Sequence, residues 1–254
     1  MPDNLPVIEG ESSNELALTP EMQALIDSAA DEQSASETNG IPFISTKGKK
    51  FANGDTKLGT SLNVVLLASV FDHSYYDRPY DEDVITPPAC FAIGKTEEDM
   101  APHEDSPVPQ SDTCEHCAMN EFGSSANGKG KACRNGRRFL MAPVYSDGRI
   151  DLNDLAIVNI SPTALKGFSK YIKAISSMKR LPLWAVVTTL SFDEDAAYPV
   201  VIPSYDSLVP PAVLKDIAPR LQEFEEYVSV AYDTSTYEPP EVAEQQTKKK
   251  SKMS

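Results

Sequence analysis

The most informative stretch of this chain is residues 114–138, which read CEHCAMNEFGSSANGKGKACRNGRR. It contains three of the four cysteines, and the fourth is Cys90, so that the spacing is C-x23-C-x2-C-x15-C. A C-x-x-C pair brings two thiolates to one tetrahedral ion from a single tight turn, and two further cysteines can complete the shell. The pattern predicts a structural Zn2+ site formed by Cys90, Cys114, Cys117 and Cys133.

Other interpretations of the cysteines are open. Two disulfides would suit a secreted protein, but residues 1–10 are acidic and lack the apolar run of a signal peptide. A redox C-x-x-C is expected at a strand-to-helix junction, whereas Cys114 follows a polar, proline-rich loop. His116 or His103 is an alternative ligand in place of one cysteine. A catalytic zinc is disfavoured, because the His-x-Glu element of the deaminase signature does not precede Cys114.

The charge of the chain is unevenly distributed. The net charge is −15, yet residues 1–40 alone hold nine acidic residues and no Lys or Arg. The remainder is therefore only mildly acidic, and a nucleic-acid partner is compatible with it, since charge within about one Debye length of a site matters most. The sequence contains no run of about 18 apolar residues. We therefore expect no membrane association and a cytoplasmic, intracellular location.

Three segments are predicted along the 254 residues. Residues 1–40 are predicted to be an acidic, disordered tail with one helix candidate at Thr19–Ala30, and an acidic docking segment for a protein partner is the alternative. Residues 41–232 form the folded domain, in which residues from about 86 to 137 are the zinc insertion. Residues 233–254 form a flexible C-terminal tail, neutral overall, that ends in lysines.

Alternation of apolar residues and turn signals predict a mainly β domain with two packed helices. The helices are predicted to begin at Ser161-Pro162 and, over Val213–Val228, after Pro210-Pro211. The predicted strands are Ile41–Ser45, Lys50–Phe51, Ser61–Phe71, Arg138–Val144, Leu155–Ile160, Leu183–Phe192 and, at a sheet edge because of its prolines, Tyr198–Tyr205. A Greek-key barrel with the zinc unit as a long inter-strand loop accommodates this order, and an α+β sandwich is the alternative.

Cations gather in two places in this acidic chain. The first cluster lies around the last cysteine, on a glycine-rich loop where backbone N–H groups can approach phosphate oxygens. The second lies on the first predicted hairpin. The two clusters are Lys129, Lys131, Arg134, Arg137 and Arg138, and Lys47, Lys49, Lys50 and Lys57. The order of residues is not that of a Walker A loop. We expect these cations to contact a nucleic-acid backbone, and a solvated or protein-binding surface is the alternative.

Aromatic residues are interleaved with these cations, which is typical of a groove for single-stranded nucleic acid. We expect base stacking on Tyr75, Tyr76 and Phe122, and also on Trp184, for which a place in the core is the alternative. The sequence shows no Ser-His-Asp or Cys-His arrangement with a supporting local motif. The residues thus favour a binding protein rather than an enzyme.

Residues 114–138 resemble a zinc-bearing module of bacteriophage single-stranded-DNA-binding proteins. The flanks are similar in outline at Ile41-Pro42, at Pro88–Ala92 and at Ser161-Pro162, so the resemblance covers about residues 41–205. It implies an OB-like barrel that holds single-stranded DNA during phage replication or recombination in the bacterial host. Many such proteins have an acidic C-terminal tail that recruits replication proteins, whereas the acidic segment of this chain is N-terminal.

A second hypothesis belongs to another class of protein. The zinc unit is then a zinc-ribbon interaction module, and residues 1–40 dock on a polymerase or another replication or transcription protein. The discriminating observation is whether the isolated chain binds single strands at low salt.

Overall fold

The computed structural model describes residues 40–78 and 86–239. Contacts divide the chain into residues 1–40 and 41–254, and the description below concerns the second unit. The predicted acidic tail with its helix at Thr19–Ala30 lies outside the described residues, as does the lysine-rich end of the chain. Within the described residues, no helix is long and apolar enough to cross a membrane.

The described unit is mixed α and β, with sheet predominating, as the sequence predicts. The strands are β1 (Phe43–Ile44), β2 (Phe51–Asn53), β3 (Thr56–Gly59), β4 (Leu62–Tyr75), β5 (Cys90–Gly94), β6 (Arg134–Pro143), β7 (Ala156–Ile160), β8 (Val186–Phe192) and β9 (Val201–Leu208). The α-helices are α1 (Pro162–Met178), α2 (Pro211–Ile217) and α3 (Leu221–Val228).

The long strand β4 is the centre of the main sheet, whose order is β1-β7-β6-β4-β8-β9. One edge of β4 pairs with β6 along residues 64–74, while the other edge pairs first with β8 and then, over residues 71–75, with β5. All pairs of this sheet are antiparallel except β1 with β7. Among the described strands β1 and β9 end the path without pairing to each other, so the sheet is open there.

Both faces of the sheet are buried, and the alternation of side chains along β4 divides them. Val64 and Leu66 pack on one face with Phe168 of α1. Val65 packs on the opposite face with Phe224 of α3. Because successive strand residues point to opposite faces, a strand buried on both sides has a nearly continuous apolar sequence. That explains the uninterrupted apolar run that predicted this strand.

The helix predicted after Ser161 is confirmed as α1, with Pro162 as its first residue. The second predicted helix is instead two helices, α2 and α3, with a 3-10 turn at Ala218–Arg220 between them. Pro219 lies in that turn, and proline has no backbone N–H to donate within a continuous α-helix. Apolar periodicity continues through the break, since both helices pack on the same face of the sheet.

Strand β9 is at the edge of the sheet, as its prolines predicted, because among the described strands it pairs only with β8. Strand β5 was not predicted, although Cys90-Phe91-Ala92-Ile93 is a short apolar run. Strand β6 begins at Arg134, four residues before the predicted start. The segment between β5 and β6, residues 95–133, is therefore anchored at both ends beside β4.

Replacing Phe168 by Ala should lower the free energy of unfolding by about 3–5 kcal/mol, because it leaves a cavity under α1. The ring is 1% exposed and its centroid lies 5.1 Å from that of Phe139. Urea denaturation measures the change, and Lys166→Ala on the exposed face of the same helix is the matched control, with an expected change within about 0.5 kcal/mol. Equal stability of the two variants would contradict the described packing of α1.

Candidate metal pocket and nucleic-acid interface

The four cysteines come from three separate segments and line one pocket. Cys90 is the first residue of β5, where it pairs with Tyr75 of β4. Cys114 and Cys117 lie in the segment between β5 and β6, and Cys133 immediately precedes β6. The four cysteines of the predicted spacing thus line the same pocket. The pairing of β5 and β6 with β4 brings Cys90 close to Cys133, although the two are far apart in the sequence.

Local hydrogen bonds hold this segment in shape. The Cys114 N–H donates to the Met100 carbonyl at 2.8 Å, and the Cys133 N–H donates to the Met119 carbonyl at 2.8 Å. The Asn120 side chain donates to the Cys114 carbonyl at 2.7 Å, across the turn that follows the C-x-x-C pair. These hydrogen bonds help to position the backbone of Cys114 and of Cys133.

All four thiols are free rather than joined in disulfides. Burial and the neighbouring thiols Cys90 and Cys117 raise the pKa of Cys114 to about 11. Burial and the other three cysteines raise the pKa of Cys133 to about 12. Burial and neighbouring thiols thus raise the pKa of Cys90, Cys114 and Cys133, and such a donor set suits Zn2+, because a divalent cation removes the repulsion between thiolates.

The number and the chemistry of the cysteines fit Zn2+, but their side chains lie farther apart than the ligands of one metal ion. Within residues 40–78 and 86–239, no three His, Cys, Asp or Glu side chains are grouped closely enough to hold a metal ion. The two alternative ligands do not line the pocket. His116 is exposed within the C-x-x-C turn, and His103 stacks on Phe91 with ring centroids 4.9 Å apart.

Arg138 has a structural role rather than a place on the surface. Its side chain is fully buried, and Nε lies 3.2 Å from Oδ2 of Asp72. It also donates to the Val230 carbonyl at 2.6 Å, and its guanidinium lies 4.4 Å from the ring centroid of Tyr232. A buried guanidinium with these partners cannot reach a phosphate, so Arg138 is removed from the predicted interface.

Arg137 and Trp184 are also engaged within the protein. Arg137 donates to Ser69 Oγ at 2.8 Å, and its guanidinium lies 4.9 Å from the ring centroid of Phe71. Burial lowers the pKa of Arg137. Trp184 is half-buried against the core cluster that contains Phe224, as the alternative interpretation of this residue expected. Each of the two presents little surface to a ligand.

A cavity of about 260 Å³ is lined by Arg134, which is the one member of the two predicted cation clusters in its lining. Its lining includes Thr46, directly before the Lys47–Lys49 turn, and Arg134, at the start of β6. Tyr76 lines the same cavity, which is close in volume to the smaller ligand sites of proteins. Burial raises the pKa of Tyr76, so its hydroxyl remains protonated at neutral pH. Arg134 is exposed, and the half-buried Tyr76 lines the cavity with it. A nucleic-acid ligand requires such a pair, namely a cation for its phosphate and a ring for its base.

The lysines of the first turn differ in their surroundings. Lys47 and Lys50 are exposed, whereas the Lys49 ammonium donates to the Glu194 carbonyl at 2.9 Å. Tyr75, which was predicted to stack on bases, instead lines the cysteine pocket beside Cys90.

The glycine-rich part of the loop presents Phe122 to solvent. Phe122 is 84% exposed, which is the largest value for a big hydrophobic side chain in the described residues. The Lys131 ammonium lies 5.4 Å from the centroid of this ring, within the range of a cation–π contact. The Gly123 N–H donates to the Gly130 carbonyl at 2.9 Å, so the loop closes on itself, and Lys129 is exposed at its tip.

Comparison with protein families, with curated proteins and with solved structures gives no match for this chain. Any assignment of function therefore depends on the residues and their arrangement.

The difference between the two arginines gives a direct test. Arg138→Ala should lower the free energy of unfolding by about 3–5 kcal/mol, because it leaves the buried Asp72 carboxylate without its cation. Arg134→Ala, at the exposed end of the same strand, should change it by no more than about 0.5 kcal/mol. Urea denaturation of both variants checks this, and a large loss for Arg134→Ala or none for Arg138→Ala would reverse the two roles.

Proposed function

We propose that this chain is a non-enzymatic protein that binds single-stranded DNA with little sequence preference. The observation that carries the proposal is the exposed ring of Phe122 beside the Lys131 ammonium, on the loop between Cys117 and Cys133. Stacking a ligand on this exposed ring removes apolar surface of both groups from water, which is favourable. Nucleobases are suitable partners, because every base has a flat face that stacks on an aromatic ring.

Cations for the phosphates lie on both sides of this ring in the sequence, and one of them, Arg134, lines the cavity. Lys129 and Arg134 flank the last cysteine and are exposed, and Arg134 lines the cavity together with Tyr76. Residues 44–46 also line that cavity, and the exposed Lys47 and Lys50 follow them in the chain. Phosphate contacts by Lys and Arg supply affinity without reading the base sequence.

Zinc is part of the proposal, with Cys90, Cys114, Cys117 and Cys133 as its ligands. Bound there, Zn2+ would supply order to residues 95–133 rather than chemistry, since four thiolates leave no open position for a substrate. The chain's own residues do the rest: the loop hydrogen bonds shape the glycine-rich turn, and the β5–β4–β6 pairing sets the distance between its ends.

The resemblance to phage proteins adds the finer part of the proposal. It favours an OB-like arrangement of the strands around β4 and a role in DNA replication or recombination in the cytoplasm of an infected bacterium. Residues 1–40 are then the segment that recruits other replication or recombination proteins through their negative charge.

Titration of a fluorescent oligo-dT with the purified full-length chain tests the proposal. Binding should weaken steeply between low and high salt, because each neutralised phosphate on a single strand contributes a log–log slope of about −0.7. Removing the metal with a chelator should also weaken binding, since the loop that carries Phe122 and Lys129 loses its anchor. Adding Zn2+ back to the treated protein is the control for chelator damage.

No binding to oligo-dT at low salt would overturn the proposal. The zinc-ribbon docking module would then be the better assignment, and the exposed cations would face a protein. Tight binding that does not change with salt would retain DNA as the ligand but overturn the phosphate contacts described above.

Phe122→Ala should weaken oligo-dT binding by about 1–3 kcal/mol, or roughly 5- to 150-fold in Kd, because one stacking platform is lost. Phe122→Tyr, which keeps a flat ring, should bind nearly as well as the natural chain. Fluorescence anisotropy at one salt concentration measures all variants.

The matched control is Tyr198→Ala. Tyr198 is 55% exposed in the connection between β8 and β9, and it belongs to neither the cavity nor the cysteine loop. Equal losses in Phe122→Ala and Tyr198→Ala would show that stacking on Phe122 is not specific to the proposed interface.

A further inference from the structure

His73 is a buried histidine on β4 that the proposed function does not use. Its side chain lies between Ala92 of β5 and Asn135 of β6, and the residue is 3% exposed. Neither ring nitrogen has a hydrogen-bond partner within the described structure. Burying an imidazole without a hydrogen bond is unfavourable, so an unpartnered ring inside a fold indicates a partner that is still to be supplied.

The strand register places His73 against the cysteine pocket. Tyr75 pairs directly with Cys90, and His73 is two residues earlier on β4, so it points to the same face one step along the strand. Diagonal neighbours on a sheet face lie within reach of a long side chain. His73 accordingly lines the same pocket as all four cysteines.

The other neighbours of His73 do not satisfy the ring. The closest charged group is Glu97, whose Oε1 lies 3.7 Å from Nε2, which is longer than a hydrogen bond. The Glu97 side chain is half exposed, so water competes for it. The Lys131 ammonium and the Asn135 amide both donate to Oδ1 of Asn120, which lines the pocket, at 3.0 Å each. The Lys131 ammonium and the Asn135 amide nitrogen are thus engaged with Asn120 rather than with the imidazole, while Asn135 Oδ1 has no hydrogen-bond partner in the described residues.

We infer that His73 is a positioning residue of the metal site, and that its ring N–H donates a hydrogen bond to one of the zinc-bound thiolates. This rests on the zinc site of the proposed function. Four thiolates around one Zn2+ carry a net charge of −2, and a buried N–H group beside them stabilises that charge. Four cysteine ligands would complete the tetrahedral shell of a bound Zn2+, which makes the histidine a donor to sulfur rather than a fifth ligand.

Three substitutions separate a donor from a filler of space. His73→Phe keeps a flat ring of similar size and removes the N–H. His73→Asn places an amide N–H near the position of Nδ1, and His73→Gln places one near Nε2. Each full-length variant, without DNA, is loaded with Co2+ as a spectroscopic substitute for Zn2+, and its Zn2+ affinity is measured by competition with a chromogenic chelator.

His73→Phe is expected to lose about 10- to 100-fold in Zn2+ affinity, the usual effect of removing a group that hydrogen-bonds a metal ligand. At least one of the two amide variants should recover most of this loss. The Co2+ spectrum should show four thiolate ligands in every variant, and only the energy of its sulfur-to-metal charge-transfer band should shift in His73→Phe.

Other results would overturn the inference. Equal Zn2+ affinity in His73→Phe and the natural chain would leave the imidazole without a role at the metal. A spectrum of the natural chain with three sulfur ligands and one nitrogen, lost in His73→Phe, would make His73 a ligand instead. A loss that neither amide variant recovers would indicate packing alone. Failure of the natural chain to bind Zn2+ or Co2+ would overturn the zinc site of the proposed function as well, whereas the first three results leave that site intact.

Discussion

The buried carboxylate of Asp72 is the interaction on which the arrangement around β4 depends. Asp72 is 1% exposed, and it receives the guanidinium of Arg138 together with hydrogen bonds from Asn159 at 2.6 Å and from Tyr232 at 2.7 Å. These donors come from β6, from β7 and from the segment after α3. A buried charge is tolerated only when it is paired and hydrogen-bonded, so this carboxylate fixes the positions of three other segments relative to β4.

That constraint also fixes which residues of β4 face which site. Asp72 and Ser74 point towards the cavity that Arg134 and Tyr76 line, whereas His73 and Tyr75 point towards the cysteine pocket. A slip of one residue would exchange the two sets of side chains. The buried pair between Asp72 and Arg138 opposes such a slip, because it would leave both charges unpaired. The cysteine pocket and the candidate nucleic-acid cavity thus lie on opposite faces of the end of β4.

The cations of residues 129–138 have different roles, because strand pairing buries some of them and leaves others exposed. Lys129 precedes strand β6 and Arg134 begins it, and both remain exposed. Arg137 and Arg138 lie within the strand, where pairing to β4 and β7 buries them. Arg137 contacts the ring of Phe71, and Arg138 contacts the carboxylate of Asp72. A count of positive charges in the sequence therefore overestimates the surface available to phosphate.

The sequence by itself determined the features that depend on neighbours along the chain. Apolar runs predicted β4, helix-start residues predicted α1 at Pro162, and the C-x-x-C turn predicted which thiols belong together. Only the tertiary structure decided that Arg138 is buried, that Tyr75 and His73 belong to the cysteine pocket, and that β5 is a strand. The physical reason is that burial and pairing depend on strand order and register, which bring together residues far apart in the chain and leave no local pattern to read.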